Sequence, residues 1–127
     1  VLIGAGELGR ALLGYSGFAE YGLNIVAAFD ANDAIIGMSK SGKPIMHMSR
    51  LNEICRRNKV QIGIITVPAE DAQHVCDLLI ECGIRAIWNF APKHLDVPPD
   101  ILVHNENMAA SLALLSKHLS YKIKNEE

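Results

Sequence analysis

The chain has 127 residues, the length of one ordinary domain. Half of them are hydrophobic and 20% are charged, with a mean hydropathy of +0.17, so there is enough apolar surface to offset the entropy of ordering a core. Twelve basic residues against fourteen acidic ones leave a net charge of −2, whereas a chain that neutralises several phosphates of duplex DNA carries a basic surplus.

No apolar run approaches the roughly 20 residues that cross a bilayer, and the sequence shows no signal peptide. Three cysteines, an odd number without a secretory signal, point to a reducing cytoplasm. Cys76 and Cys82 fall on one predicted helix about 9 Å of rise apart, too far to bridge without unwinding it. The sequence opens at Val1 with a strand already under way, which predicts a fragment whose N-terminal partner domain has been removed.

Apolar runs of strand length alternate with segments of helical period, as in βαβ units around a parallel sheet. Val1 to Ile3 predicts a first strand, ended by a glycine turn. Leu8, Ala11, Leu12 and Tyr15 then recur at helical spacing. Leu23 to Phe29 predicts the second strand, ended by Asp30. A polar connection runs from Ala31 to Lys43, and a short strand follows near Pro44 to Met46. Leu51, Ile54 and Cys55 predict a short helix with Ser49 as its cap.

Ile62 to Val67 reads as a buried strand stopped by Pro68. The helix after it carries Ala72, Val75, Cys76 and Leu79 on one face and ends near Gly83, a residue suited to a C-cap. Ile84 to Phe90 is the next strand, then a loop with three prolines, then a last strand from Ile101 to His104. A closing helix from about Asn107 to Tyr121 has Met108, Leu112, Leu115 and Leu119 in one stripe, with Leu114 off it. Such a helix either packs on its own sheet or on a second subunit.

The strongest local signal is Gly4-Ala5-Gly6-Glu7-Leu8-Gly9, a GxGxxG that directly follows a strand and opens a helix. The first glycine permits a tight turn, the second lets a pyrophosphate approach the backbone, and the third allows helix and strand to pack closely. Asp30 ends the second strand about 20 residues further on, where a carboxylate accepts hydrogen bonds from a ribose 2′-hydroxyl and repels a 2′-phosphate. The pattern predicts a Rossmann-like, doubly wound α/β fold, its mainly parallel sheet covered by helices on both faces, that prefers NAD to NADP. Glu7 is an uncomfortable residue for a phosphate loop.

Thr66-Val67-Pro68 and Asn89-Phe90, followed by Ala91 and Pro92, end later strands at the carboxyl edge of the sheet. Ligands bind along that edge, so these segments are candidates to close the pocket, with Phe90 a candidate contact for the nicotinamide. No tyrosine is followed four residues on by lysine, and no nucleophile and base stand together. The five histidines show no metal-ligand spacing; His74, like Cys76, reads as a surface or packing residue. A nicotinamide site without catalytic residues and without a metal predicts a sensor. An oxidoreductase or sugar-nucleotide enzyme separated from its catalytic domain, and a CoA-binding module, remain the alternatives.

The segments GAGELGRAL, AAFD, TVPAEDAQHVCDLL, GIRAIWNFAP and LDVPPDILVHNENMAASLALLS occur in this order and span almost the whole chain. In them the chain closely resembles the C-terminal domain of Rex, the bacterial redox-sensing transcriptional repressor. The resemblance implies a Rossmann domain over residues 1–106 that binds NADH, with NAD+ competing for the same site. It implies a homodimer that exchanges the helix of residues 107–127, and operator DNA held by an N-terminal winged helix absent from this chain. By position, Gly4, Gly6, Gly9 and Asp30 would bind the dinucleotide, and Pro68 with Asn89 and Phe90 would approach its nicotinamide end. Two positions depart from the family's usual pattern: Glu7, where members commonly carry Asn or Arg, and Asn107, where members usually carry an Asp that joins a charged contact at the start of the exchanged helix.

Overall fold

Runs of Leu, Ile, Ala and Phe assemble a seven-stranded sheet in the computed structural model, which describes residues 1–106 and 108–126, and the backbone alone for 108–113. The elements in chain order are β1 (Leu2–Ile3), α1 (Glu7–Leu13), β2 (Ala28–Asp30), β3 (Gly37–Met38), β4 (Pro44–His47), α2 (Leu51–Arg57), β5 (Ile62–Ile65), α3 (Ala69–Glu81), β6 (Ala86–Asn89), β7 (Leu102–Asn105) and α4 (Met108–Glu126). Across the sheet the order is β3-β4-β2-β1-β5-β6-β7, and every pairing is parallel except β3 with β4. The chain starts in the middle of the sheet and winds outward in both directions. The doubly wound α/β expectation is met, and the strand order reverses between β1 and β5.

Alternation along the strands splits the core in two. Ile3, Phe29, Ile65 and Ile87 face α2 and α3, where Leu51, Ile54, Val75, Cys76 and Leu79 close over them. Leu2, Ala28, Ile45 and Ile64 face the other way, packing with Leu13 of α1. That second face is only half covered. Over β5 to β7 it exposes Ile62 and Leu102, the latter 73% accessible. No side chain described in α4 is buried, and Leu114, Leu115, Leu119, Tyr121 and Ile123 all lie open.

Several local expectations give way to neighbouring structure. The second strand begins only at Ala28, because its neighbour β1 offers two residues to pair with. Residues 16–21, just upstream, wind into a 3-10 helix. α1 stops at Leu13, short of Tyr15, whose ring turns edge-on to Phe18 with centroids 4.9 Å apart. The polar connection contains β3, a strand too short to show alternation. Ser49 does not cap α2; its own N–H is capped by the ring of His47 (N···Nδ1 3.2 Å) in the 3-10 turn that leads into the helix. The last helix runs on to Glu126; Asn107 lies outside the described residues.

The end of α3 shows how local chemistry sets an element boundary. Gly83, at φ +94°, donates its N–H to the Ile80 carbonyl, and Ile84 donates to Leu79, a Schellman pair that satisfies the last carbonyls of the helix. An L side chain at Gly83 meets the left-handed penalty of roughly 1–2 kcal/mol. Gly83→Ala should therefore lower unfolding stability by about that amount in urea titration, with the slope unchanged.

Candidate functional site

The turn from β1 into α1 is fixed by contacts that require its glycines. Gly4 sits at φ +101°, and a Cβ there would lie 3.0 Å from the backbone and hydroxyl of Thr66. A Cβ on Gly9 would collide with the Gly4 carbonyl oxygen, whereas one on Gly6 would meet nothing within 4 Å. Gly4 and Gly9 thus serve close packing, and Gly6 keeps the approach to the backbone open. The first N–H groups of α1, from Glu7 onward, have no partner within the helix and are free for an anion.

Two side chains hold this loop. The Asp30 carboxylate accepts the Ala5 N–H on Oδ2 (2.9 Å) and the Asn32 N–H on Oδ1 (2.8 Å), tying the end of β2 to the glycine turn. Each oxygen keeps a lone pair for a further donor. Thr66 Oγ1, at the end of β5, lies 2.9 Å from the Ile3 carbonyl and 2.6 Å from that of Gly4.

Between them opens a cleft of about 740 Å³ on the α3 side of the sheet. Gly4, Gly6, Asp30, Thr66, Val67 and Pro68 line it, six of the residues singled out from the sequence. Its far wall is α3, through Asp71, His74, Val75 and Leu78, and its floor includes Met48. The sequence reading missed these wall residues. Their spacing of three, four and seven along α3 was the available signal.

Of the remaining candidates, Ala5 is buried in the turn, Glu7 and Leu8 lie on α1 beside it, and none of the three lines the cleft. Glu7 is exposed. Pro68, placed by resemblance toward the nicotinamide end, shares the cleft of Asp30. Asn89 ends β6 and stands inside the turn after it. Its side chain is fully buried, with Nδ2 within 3.2 Å of the Ala91 and Lys93 carbonyls and of Asn105 Oδ1, and with Oδ1 accepting the Ala91 N–H. It shapes the turn after β6 from behind. Phe90, half-buried on that turn, packs at a tilt of 48° against Trp88 (centroids 4.8 Å), which meets Phe18 edge-on.

Burial pushes the Cys55 and Cys76 thiols up to about 11 and raises Cys82 as well, so none of them is an activated nucleophile at neutral pH. Among the described residues no group of three His, Cys, Asp or Glu could hold a metal ion, and no helix is long and apolar enough to cross a membrane.

A strand, an open glycine turn, a short helix and an acid at the end of β2 form a nucleotide cradle, and a family model described as "CoA binding domain" matches residues 1–93. The chain belongs to the CoA binding domain family. The resemblance to Rex also holds. The chain is 46% identical over 114 residues to the redox-sensing transcriptional repressor Rex of Porphyromonas gingivalis, covering 90% of this chain and 52% of that protein. It is 42% identical over 120 residues to Rex of Bacteroides fragilis, covering 94% and 54%.

The chain thus spans about half the length of the curated relatives it matches. Among solved structures, the Rex-family repressor RSP in complex with β-NADH superposes with a TM-score of 0.89 at 35% identity, over 98% of this chain and 60% of that one. The same repressor in complex with β-NAD+ and operator DNA gives 0.85 at 36% identity, over the same shares of the two chains.

The second and third glycines of the turn, Gly6 and Gly9, separate packing from binding. Gly9→Ala should cost about 1–3 kcal/mol, read as a lower midpoint in urea, because its methyl overpacks against Gly4. Gly6→Ala should unfold like the wild type yet lose nucleotide binding, since the methyl stands where a phosphate would approach.

Proposed function

We propose that this chain is the NADH- and NAD+-responsive domain of a Rex-type repressor of the bacterial cytoplasm. The observation that carries the reading is Asp30, a carboxylate at the rim of the cleft that also tethers the glycine turn. The remaining lone pairs of the carboxylate suit the two hydroxyls of an adenosine ribose. The open backbone at Gly6 suits the pyrophosphate, and Val67, Val75 and Leu78 supply an apolar slot for a base. Phe90 and the turn braced by Asn89 stand at the carboxyl edge of β6, on the path of the nicotinamide. When bound, the dinucleotide supplies the redox signal through its ring charge.

The function is proposed as binding that differs between two ring states. An oxidised ring is cationic and costly to bury without a partner, and a reduced ring is neutral, so NADH is favoured in a pocket closed by Phe90. If NADH and DNA favour different arrangements of the full-length dimer, each weakens the other by the same factor.

The dimer is the second part of the proposal. The uncovered sheet face at Ile62 and Leu102 and the bare apolar face of α4 are the two halves of one interface, filled when two copies exchange residues 107–127. Operator DNA would then be held by a winged helix N-terminal to this domain, in keeping with the lack of basic surplus here.

The family match favours a second reading, a CoA site. CoA carries a phosphate on its adenosine ribose, however, and Asp30 opposes a phosphate there as it opposes that of NADPH.

Titration calorimetry with NADH, NAD+ and NADPH tests the first part. NADH should bind tightest and NADPH weakest, and Asp30→Ser should narrow the gap between NADH and NADPH. Equal affinities for NADH and NAD+ would sink the redox reading. Light scattering tests the second part: the wild type should be a dimer, and the double substitution Leu115→Asp with Leu119→Asp should yield monomers.

A further inference from the structure

A second cleft, of about 610 Å³, opens on the opposite face of the sheet from the Asp30 cleft, between α1 and the β3–β4 hairpin. The two clefts share no lining residue. The second has an apolar floor at Ile35 and Ile45 and a rim made of Arg10, Ser39, Lys40 and Ser41. Among the described residues, neither Arg10 nor Lys40 enters an ion pair. Among the described residues the Arg10 side chain makes one hydrogen bond, from Nε to the Gly6 carbonyl at 3.3 Å, which leaves the rest of its fork free.

The turn from Ser39 to Lys43 is built so that its donors are available. Its closing bonds use the N–H groups of Ser39 and Gly42, and the N–H groups of Lys40 and Ser41 have no acceptor among the described residues. The Ser39 hydroxyl donates to the Lys43 carbonyl at 2.7 Å and lies 2.8 Å from the Ser41 hydroxyl. Ser41 sits against α1 at Gly14. Two cations, a serine hydroxyl and two free amides therefore converge with no carboxylate on the rim, in a chain whose net charge is negative. Such a set selects an anion, and the guanidinium fork with an adjacent ammonium suits a phosphate dianion. The volume falls within the range of small-molecule sites.

We propose that this cleft is a second ligand site, independent of the dinucleotide cleft, which takes a small phosphorylated molecule. The phosphate is held by Arg10, Lys40 and the Lys40–Ser41 amides, and an apolar body rests on Ile35 and Ile45.

The test is a titration of inorganic pyrophosphate into the chain, with and without saturating NADH, followed by amide chemical shifts. The expected result is a saturable shift of the Lys40 and Ser41 amides that persists with NADH. Lys40→Gln should weaken it roughly tenfold, the worth of one charged hydrogen bond, and leave NADH affinity as it was. Shifts confined to residues 4–9 and abolished by NADH would overturn the proposal. So would shifts that sulfate reproduces without saturation, an adventitious ion only, or shifts that Lys40→Gln does not weaken. Should NADH itself fail to bind, the first reading falls while the Lys40 and Ser41 amides still report on this site.

Discussion

Everything at the carboxyl edge of the sheet depends on how closely the first turn of the chain is held against β2 and β5. Asp30 grips the turn from one side through the Ala5 N–H and Thr66 from the other through the Gly4 carbonyl, at 2.9 and 2.6 Å. The Thr66 contact requires that Gly4 and Gly9 lack side chains, since a Cβ on either would lie 3.0 Å from Thr66 Oγ1. The result is a backbone whose free N–H groups are oriented before any ligand arrives, which spares the ordering cost of binding. Asp30 holds the loop through the Ala5 and Asn32 N–H groups and also lines the cleft, so the shape of the turn and one wall of the cleft depend on a single residue.

The sequence made the central part of this legible. GxGxxG and Asp30 carry their geometry in residue type and spacing, and the buried face of α3, at Ala72, Val75, Cys76 and Leu79, follows from its period. The start of β2 was not legible, because Leu23 to Ala27 is as apolar as a strand but has too little neighbouring β1 to pair with. The two-residue β3 lacks any pattern to read. The bracing role of Asn89 was hidden for another reason: residue type alone does not show the carbonyls of Ala91 and Lys93 wrapped around its amide. Asp71 and His74 joined the cleft only once α3 was docked beside β5.

The molecule is finished on one face of its sheet and unfinished on the other. Over α2 and α3 the core is continuous, whereas across β5 to β7 the opposite face leaves Leu102 73% exposed and α4 offers Leu115 65% exposed. Apolar surface on that scale is costly to leave in water, and it lies on a strand edge and a helix face of matching chemistry. Phe90, Trp88 and Phe18 run beneath this open face. An element packing there would therefore touch this aromatic cluster, and through Phe90 the turn that follows β6.

The central claim is that Asp30 makes the cleft one for an unphosphorylated adenosine ribose, within a domain family described by CoA. The most direct measurement is calorimetric competition between NADH and CoA on the wild type and on Asp30→Ser. Tight NADH binding that CoA fails to displace, with CoA gaining ground in Asp30→Ser, is the result the account predicts. CoA displacing NADH from the wild type, or the substitution leaving the two ligands in the same order and ratio, would contradict it.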